Sequence, residues 1–273
     1  MKSKKIIAAA ATAALLFGGA YYYFRDDVSQ ILVQHRLEQV SPEPSALQET
    51  DSASSTHIEG TKEVSAEENE TLGNTRGVAD MLSHEAIQSL MDSAKDLHDS
   101  YPDTLGWLYI PDTVISYPVM QANDNDYYLS RAYDGSQLQA GSLFLDCRCE
   151  SRFMNPINIV YGHNMKNGSM FAQVTNFKND SYFESHKYGW LATPETVYRI
   201  DFFSCAVADW HDSLYEGDTP VAEWVPHIYD KSVVGREITY SDDDRFVSLS
   251  TCSYEFQNAR TILTGKLVEM NGG

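Results

Sequence analysis

A chain of 273 residues with a formal charge of −19 and a pI near 4.6 lacks the basic face that nucleic-acid phosphates require, so nucleic-acid binding is excluded. The acidic balance otherwise speaks to solubility rather than to fold. Setting the N-terminal segments aside leaves a length that suits one domain with a sizeable core.

In chain order, residues 1–5 (Met-Lys-Ser-Lys-Lys) form a basic start. Residues 6–24 are an uninterrupted apolar and aromatic run of bilayer-spanning length, with Tyr21, Tyr22 and Tyr23 where an interfacial belt would lie. The positive charge before the run puts the N-terminus inside and the rest of the chain outside. A cleaved signal peptide, with small residues at Gly18 and Ala20, is the rival reading. The run is long for a signal-peptide core, so an uncleaved signal anchor is expected. Residues 25–76 are expected to be an extracellular stalk. It begins with a plausible helix and continues from residue 41 as a Pro-, Ser-, Thr- and Glu-rich linker of low hydrophobicity.

Over residues 78–99, Val78, Met81, Leu82, Ile87, Leu90, Met91, Ala94 and Leu97 recur at the spacing of an amphipathic helix or a broken pair of helices. From Leu105 the pattern shortens into strands. These are predicted at residues 106–110, 114–115, 117–120, 142–145, 157–161, 196–203, 205–208, 245–250 and 261–268, separated by turn residues. Many short strands at this spacing imply an antiparallel barrel or sandwich. Two inserts read as helical, residues 170–177 and residues 219–232.

The chemistry concentrates at strand ends. Ser248-Leu249-Ser250-Thr251-Cys252 closes one apolar run, and Arg260 follows eight positions after the cysteine, where the next strand begins. A thiol beside a guanidinium is the setting in which a thiolate forms. A lone cysteine is more often structural, and a lone arginine at a strand edge more often a solvating charge. A third group lies far upstream, in Val160-Tyr161-Gly162-His163-Asn164-Met165, where His163 ends another strand. Nucleophile, proton carrier and oxyanion donor are then all present. The other histidines lie in linker, helix or loop contexts. Cys147, Cys149 and Cys205 read as small strand residues, or as a pair involving Cys205. Asp242-Asp243-Asp244 reads as a solvated turn.

These segments resemble the class B sortases. The strand-end signature is Thr-Leu-x-Thr-Cys followed by an arginine, with Ser248 here in place of the usual first threonine. The similarity extends through residues 103–111, 115–119, 123–129, 141–146 and 161–171, and covers roughly residues 80–270. It implies a mainly β fold: an eight-stranded sortase-type barrel with N-terminal helices and a long helical insert between late strands. It implies that residues 77–273 form the catalytic domain, with Cys252, His163 and Arg260 as catalytic groups. Asn125, Leu129 and Ser250 match substrate-binding positions, although Asn125 could equally cap a helix starting at Asp126, and Leu129 could be plain core.

The implied reaction is transpeptidation without metal or organic cofactor. Cys252 attacks the threonine carbonyl of a C-terminal sorting motif on a surface protein. The thioacyl intermediate then passes to an amine of a lipid-linked peptidoglycan precursor or to a pilin lysine. The implied location is the cell membrane, single-pass, with the catalytic domain outside. The rivals are a hydrolytic cysteine peptidase of the cell surface and a non-enzymatic adhesin. Papain-like peptidases place Cys before His and use Asn or Asp as the third member, whereas here His163 precedes Cys252 and the third group is Arg260.

Overall fold

The computed structural model describes residues 37, 38, 40–42 and 82–270. The expected basic segment and signal anchor, and most of the expected stalk, lie outside the described residues. Among the described residues, no helix is long and apolar enough to cross a membrane.

Helix α1 (His84–Ser100) starts where Ser83 accepts a hydrogen bond from Ala86 N (3.1 Å), satisfying one of the free amides of the first turn. Ala86, Leu90, Ser93, Ala94 and Leu97 recur every three or four residues and form its buried stripe, which lies on strands β1 (Thr104–Tyr109) and β5 (Tyr188–Ala192). The other strands are β2 (Ser116–Met120), β3 (Leu143–Leu145), β4 (Ile157–Tyr161), β6 (Val197–Asp209), β7 (Ser232–Gly235), β8 (Arg245–Cys252) and β9 (Ala259–Met270). They run in the order β5-β1-β2-β3-β4-β8-β9-β6, and β6 pairs back onto β5. The result is a closed eight-stranded barrel with no open edge along that circuit. Strand β7 adds a ninth strand outside the closure, on the second half of β6.

Two strand pairs are parallel, β2 with β3 and β4 with β8. The 13-residue β6 is one strand where sequence reading predicts two. A register shift between Phe202 and Ser204 in its pairing with β9 lets both Phe202 and Phe203 be buried. Phe202 and Cys205 join the main core cluster. Phe203, Ala206 and Ala208 join a second cluster with Val221, Trp224, Val225 and Ile228 of helix α3 (Val221–Asp230).

Several expectations are corrected at the level of local structure. Residues 114–115 form no strand: Ile110 N donates to Ile115 O and Thr113 Oγ1 to Ile110 O, which closes a turn. The insert at 170–177 is a 3-10 segment, Ala172–Lys178, followed by the short helix α2 (Asp180–Ser185). The later insert is helical as expected, forming the ten-residue α3 within residues 219–232, and a 3-10 turn at Ser213–Tyr215 precedes it. All four cysteines are free thiols. Cys205 is fully buried in β6, and burial pushes its thiol up to about 12. Cys147 and Cys149 lie in the turn after β3 rather than in a strand. Leu37, within the expected stalk, is 7% exposed and belongs to the main core cluster, with Val40 packed against that cluster.

Candidate active site

Parallel pairing of β4 and β8 brings the ends of both strands to one rim of the barrel, with Tyr161 opposite Ser250. The ladder continues past the strand, because Gly162 N donates to Ser250 O (3.2 Å). Two further bonds lock the segment after β4 to the end of β8. Thr251 Oγ1 donates to Gly162 O (2.7 Å), and Asn164 Nδ2 donates to Cys252 O (2.8 Å). His163 sits between these ties. Antiparallel pairing of β8 with β9 sets Arg260 directly opposite Cys252. Directly opposed residues on such a ladder point to the same face with Cβ atoms about 5 Å apart. His163, some ninety residues upstream, is therefore brought to the Cys252–Arg260 pair by strand register and the two bonds that extend it.

His163 Nε2 lies 2.8 Å from Leu129 O. A carbonyl oxygen can only accept, so in this arrangement the proton is on Nε2 and Nδ1 is the nitrogen left to exchange a proton. Arg260 is held by its own loop, its Nη1 donating to Ala259 O (3.0 Å) and Asn258 O (3.5 Å). The cavity beside these groups has a volume of about 500 Å³. Cys252, His163, Arg260, Asn125, Leu129 and Ser250 all line it. The structure thus brings together all six residues singled out by sequence.

Asn125 does not cap the turn that follows it. Asp124 Oδ1 does so, accepting from Asp126 N (2.9 Å) and Tyr127 N (2.8 Å), while Asn125 Oδ1 accepts from Cys147 N (2.8 Å). Leu129 is 38% exposed at the cavity rather than buried in the core. Glu255, just beyond Cys252, pairs with Lys178. Burial acts to raise its carboxyl, but the hydrogen bond and charge of Lys178 outweigh that and bring it down to about 2.

Sequence reading does not single out Arg148, Tyr161, Tyr215 or Trp210, which complete the walls. Tyr215 comes from the loop between β6 and α3. That loop is pinned where Asp212 accepts from Leu214 N (3.1 Å), His227 Nε2 (2.6 Å) and Lys231 Nζ (3.0 Å), and where Trp224 Nε1 donates to Leu214 O (3.2 Å). The Tyr215 hydroxyl pairs with Ser250 Oγ at 2.8 Å, and its ring stacks on Tyr161 at 6.3 Å between centroids. Tyr161 carried a signal, since it stands in the segment Tyr161-Gly-His-Asn-Met; Tyr215 carried none. Among the described residues, no group of three His, Cys, Asp or Glu side chains is placed to hold a metal ion.

No family model matches the chain. Against curated proteins, it is 33% identical over 183 residues to sortase B of Listeria monocytogenes, covering 65% of this chain and 74% of that protein. The chain belongs to the class B sortases. Solved class B sortase structures agree in fold. One from Streptococcus pyogenes, described as involved in pilus biogenesis, is 32% identical with a TM-score of 0.60, covering 63% of this chain and 96% of that one. Sortase B of Clostridium perfringens is 31% identical with a TM-score of 0.59, covering 64% of this chain and 98% of that one. As a class B sortase, this chain is a cysteine transpeptidase built on the family's β-barrel.

Proposed function

We propose that Cys252 is the nucleophile, His163 the proton carrier and Arg260 the oxyanion donor of this transpeptidase. The observation that carries the reading is register: β4, β8 and β9 deliver these three side chains to one cavity rim. The Cys252 thiolate adds to the threonine carbonyl of a sorting motif, and the peptide bond after threonine breaks. His163 gives a proton to the leaving amine, and a thioester joins the substrate to Sγ. The incoming amine then gives its proton to His163 and displaces the thiolate. Arg260, charged throughout, stabilises the oxyanion in both steps. Asn125, Leu129 and Ser250 contact the sorting peptide, for which an Asn-Pro-x-Thr-x pentapeptide is the expected class.

The acceptor is an amine of a lipid-linked peptidoglycan precursor or a pilin lysine; the pilus role of the similar Streptococcus pyogenes enzyme supports the second. Residues 6–24 serve as a single-pass anchor with residues 77–273 outside as the catalytic domain, supported by the apolar run and the basic segment before it.

The test is mass spectrometry of enzyme incubated with sorting pentapeptides, with and without an added amine. A thioester on Cys252 and an amine-linked product are expected, and Cys252→Ala should abolish both while keeping the fold. Product formed by hydrolysis alone, unaffected by amine, would favour a surface cysteine peptidase instead.

A further inference from the structure

Asp146 follows β3 directly and is 1% exposed, yet all its carboxylate bonds lead toward the cavity. Its Oδ1 accepts from Arg148 N (2.9 Å) and Arg148 Nε (2.9 Å). Its Oδ2 accepts from Arg148 Nη2 (2.7 Å) and from the Tyr161 hydroxyl (2.9 Å). Arg148 Nη2 also donates to Tyr215 O (2.9 Å), and Tyr215 reaches Ser250 through its hydroxyl. Arg148, Tyr161, Tyr215 and Ser250 line the cavity, but Asp146 does not.

A buried carboxylate is costly unless its partners replace the lost water. Here a bidentate guanidinium, a backbone amide and a phenol do so. The bonds from Arg148 and Tyr161 outweigh burial and keep the carboxyl below the ordinary carboxylate range. The network joins four separate pieces of chain: the turn after β3, strand β4, the loop before α3 and strand β8. Their common feature is the cavity.

We infer that Asp146 is a positioning residue for peptide binding: through Arg148 and Tyr161 it fixes the spacing of the cavity walls that grip the sorting peptide, without touching the peptide. This rests on the proposed reading that the cavity takes such a peptide. Asp146→Asn keeps the shape but removes the charge and turns one acceptor into a donor facing Arg148 N–H groups, which can only donate, so the fork of Arg148 and the Tyr215 wall lose their fixed point.

The experiment measures steady-state kinetics of the full-length protein in detergent, using a fluorogenic peptide chosen from an Asn-Pro-x-Thr-x library. Alkylation of Cys252 by iodoacetamide and Tm are measured in parallel. Asp146→Asn should raise KM by about 10-fold, the scale of one unsatisfied buried polar group, with kcat within about 3-fold and the alkylation rate unchanged. Arg148→Lys, on a side chain that is 57% exposed, keeps the charge but loses the fork, and should raise KM in the same direction. It carries the test if Asp146→Asn does not fold. A wild-type KM in these variants, or a fall in kcat at constant KM, overturns the inference alone. A wild-type protein that turns over no peptide of the library overturns the proposed function and the inference with it.

Discussion

Replacing Arg260 by lysine separates two jobs that a cation beside Cys252 could do. Register places residue 260 opposite the cysteine, so a lysine there keeps a positive charge within several ångströms of the sulfur. A positive charge at that position acts on a nearby anion through its field, and lysine retains that field. What lysine loses is the fork. Arg260 spends Nη1 on Ala259 O and Asn258 O and still has other N–H groups for the cavity it lines. A single ammonium cannot be anchored and aimed in the same way. Removing one aligned oxyanion donor costs about 10²–10³-fold in rate, or roughly 3–4 kcal/mol. Arg260→Lys should therefore lower kcat/KM by about 10²-fold while Cys252 is alkylated at nearly the wild-type rate. The assay pairs peptide turnover with iodoacetamide alkylation across pH. A kcat/KM within a few-fold of wild type would refute the fork argument and leave only the field effect.

Gly162→Ala should destabilise the fold by about 1–3 kcal/mol in urea denaturation, because the added Cβ would lie 2.5 Å from Leu143 Cδ2 and 2.6 Å from Phe171 Cδ2. Turnover should fall too, since Phe171 N donates to His163 O (3.0 Å) and cannot shift without moving the histidine; unchanged stability would refute the crowding. Deleting residues 1–76 should leave a folded domain that is less stable than one deleted only through residue 30, by about 1–2 kcal/mol for the lost burial of Leu37 and Val40. Equal stability in parallel denaturant titrations would show that the contact contributes nothing. The Glu255 carboxyl is lowered from 4.5 to about 2, so its stabilising effect is full above pH 4.5 and fades as pH falls toward 2. Glu255→Gln should flatten that part of the stability profile, modestly because the residue is exposed.

The candidate rim was legible because its residues end strands with clear patterns. Strand β4 coincides with its predicted span, and β8 and β9 differ from theirs by one or two residues at the ends. Strand β5 was not legible. It is five residues long and contains Gly189, which is needed because a Cβ there would meet Phe202 Cζ at 2.8 Å. Strand β6 read as two because Ser204 interrupts its apolar run at the register shift. Its outer face also packs on α3, a contact that no local pattern announces. The same holds at the cavity. Arg148 and Tyr215 come from irregular segments, and only tertiary closure brings them beside Ser250.

The seat of Leu37 on the barrel bears on reach. Leu37 and Leu82 are both seated in the core of the same barrel. The acidic, proline-containing stretch between those points starts and finishes on the same body, so its length adds nothing to the span between membrane and barrel. That span is set by residues 25–36 alone, which fully extended cover at most about 45 Å. Lengthening the linker between residues 43 and 81 should therefore leave the enzyme's working height above a bilayer unchanged, whereas insertions among residues 25–36 should raise it.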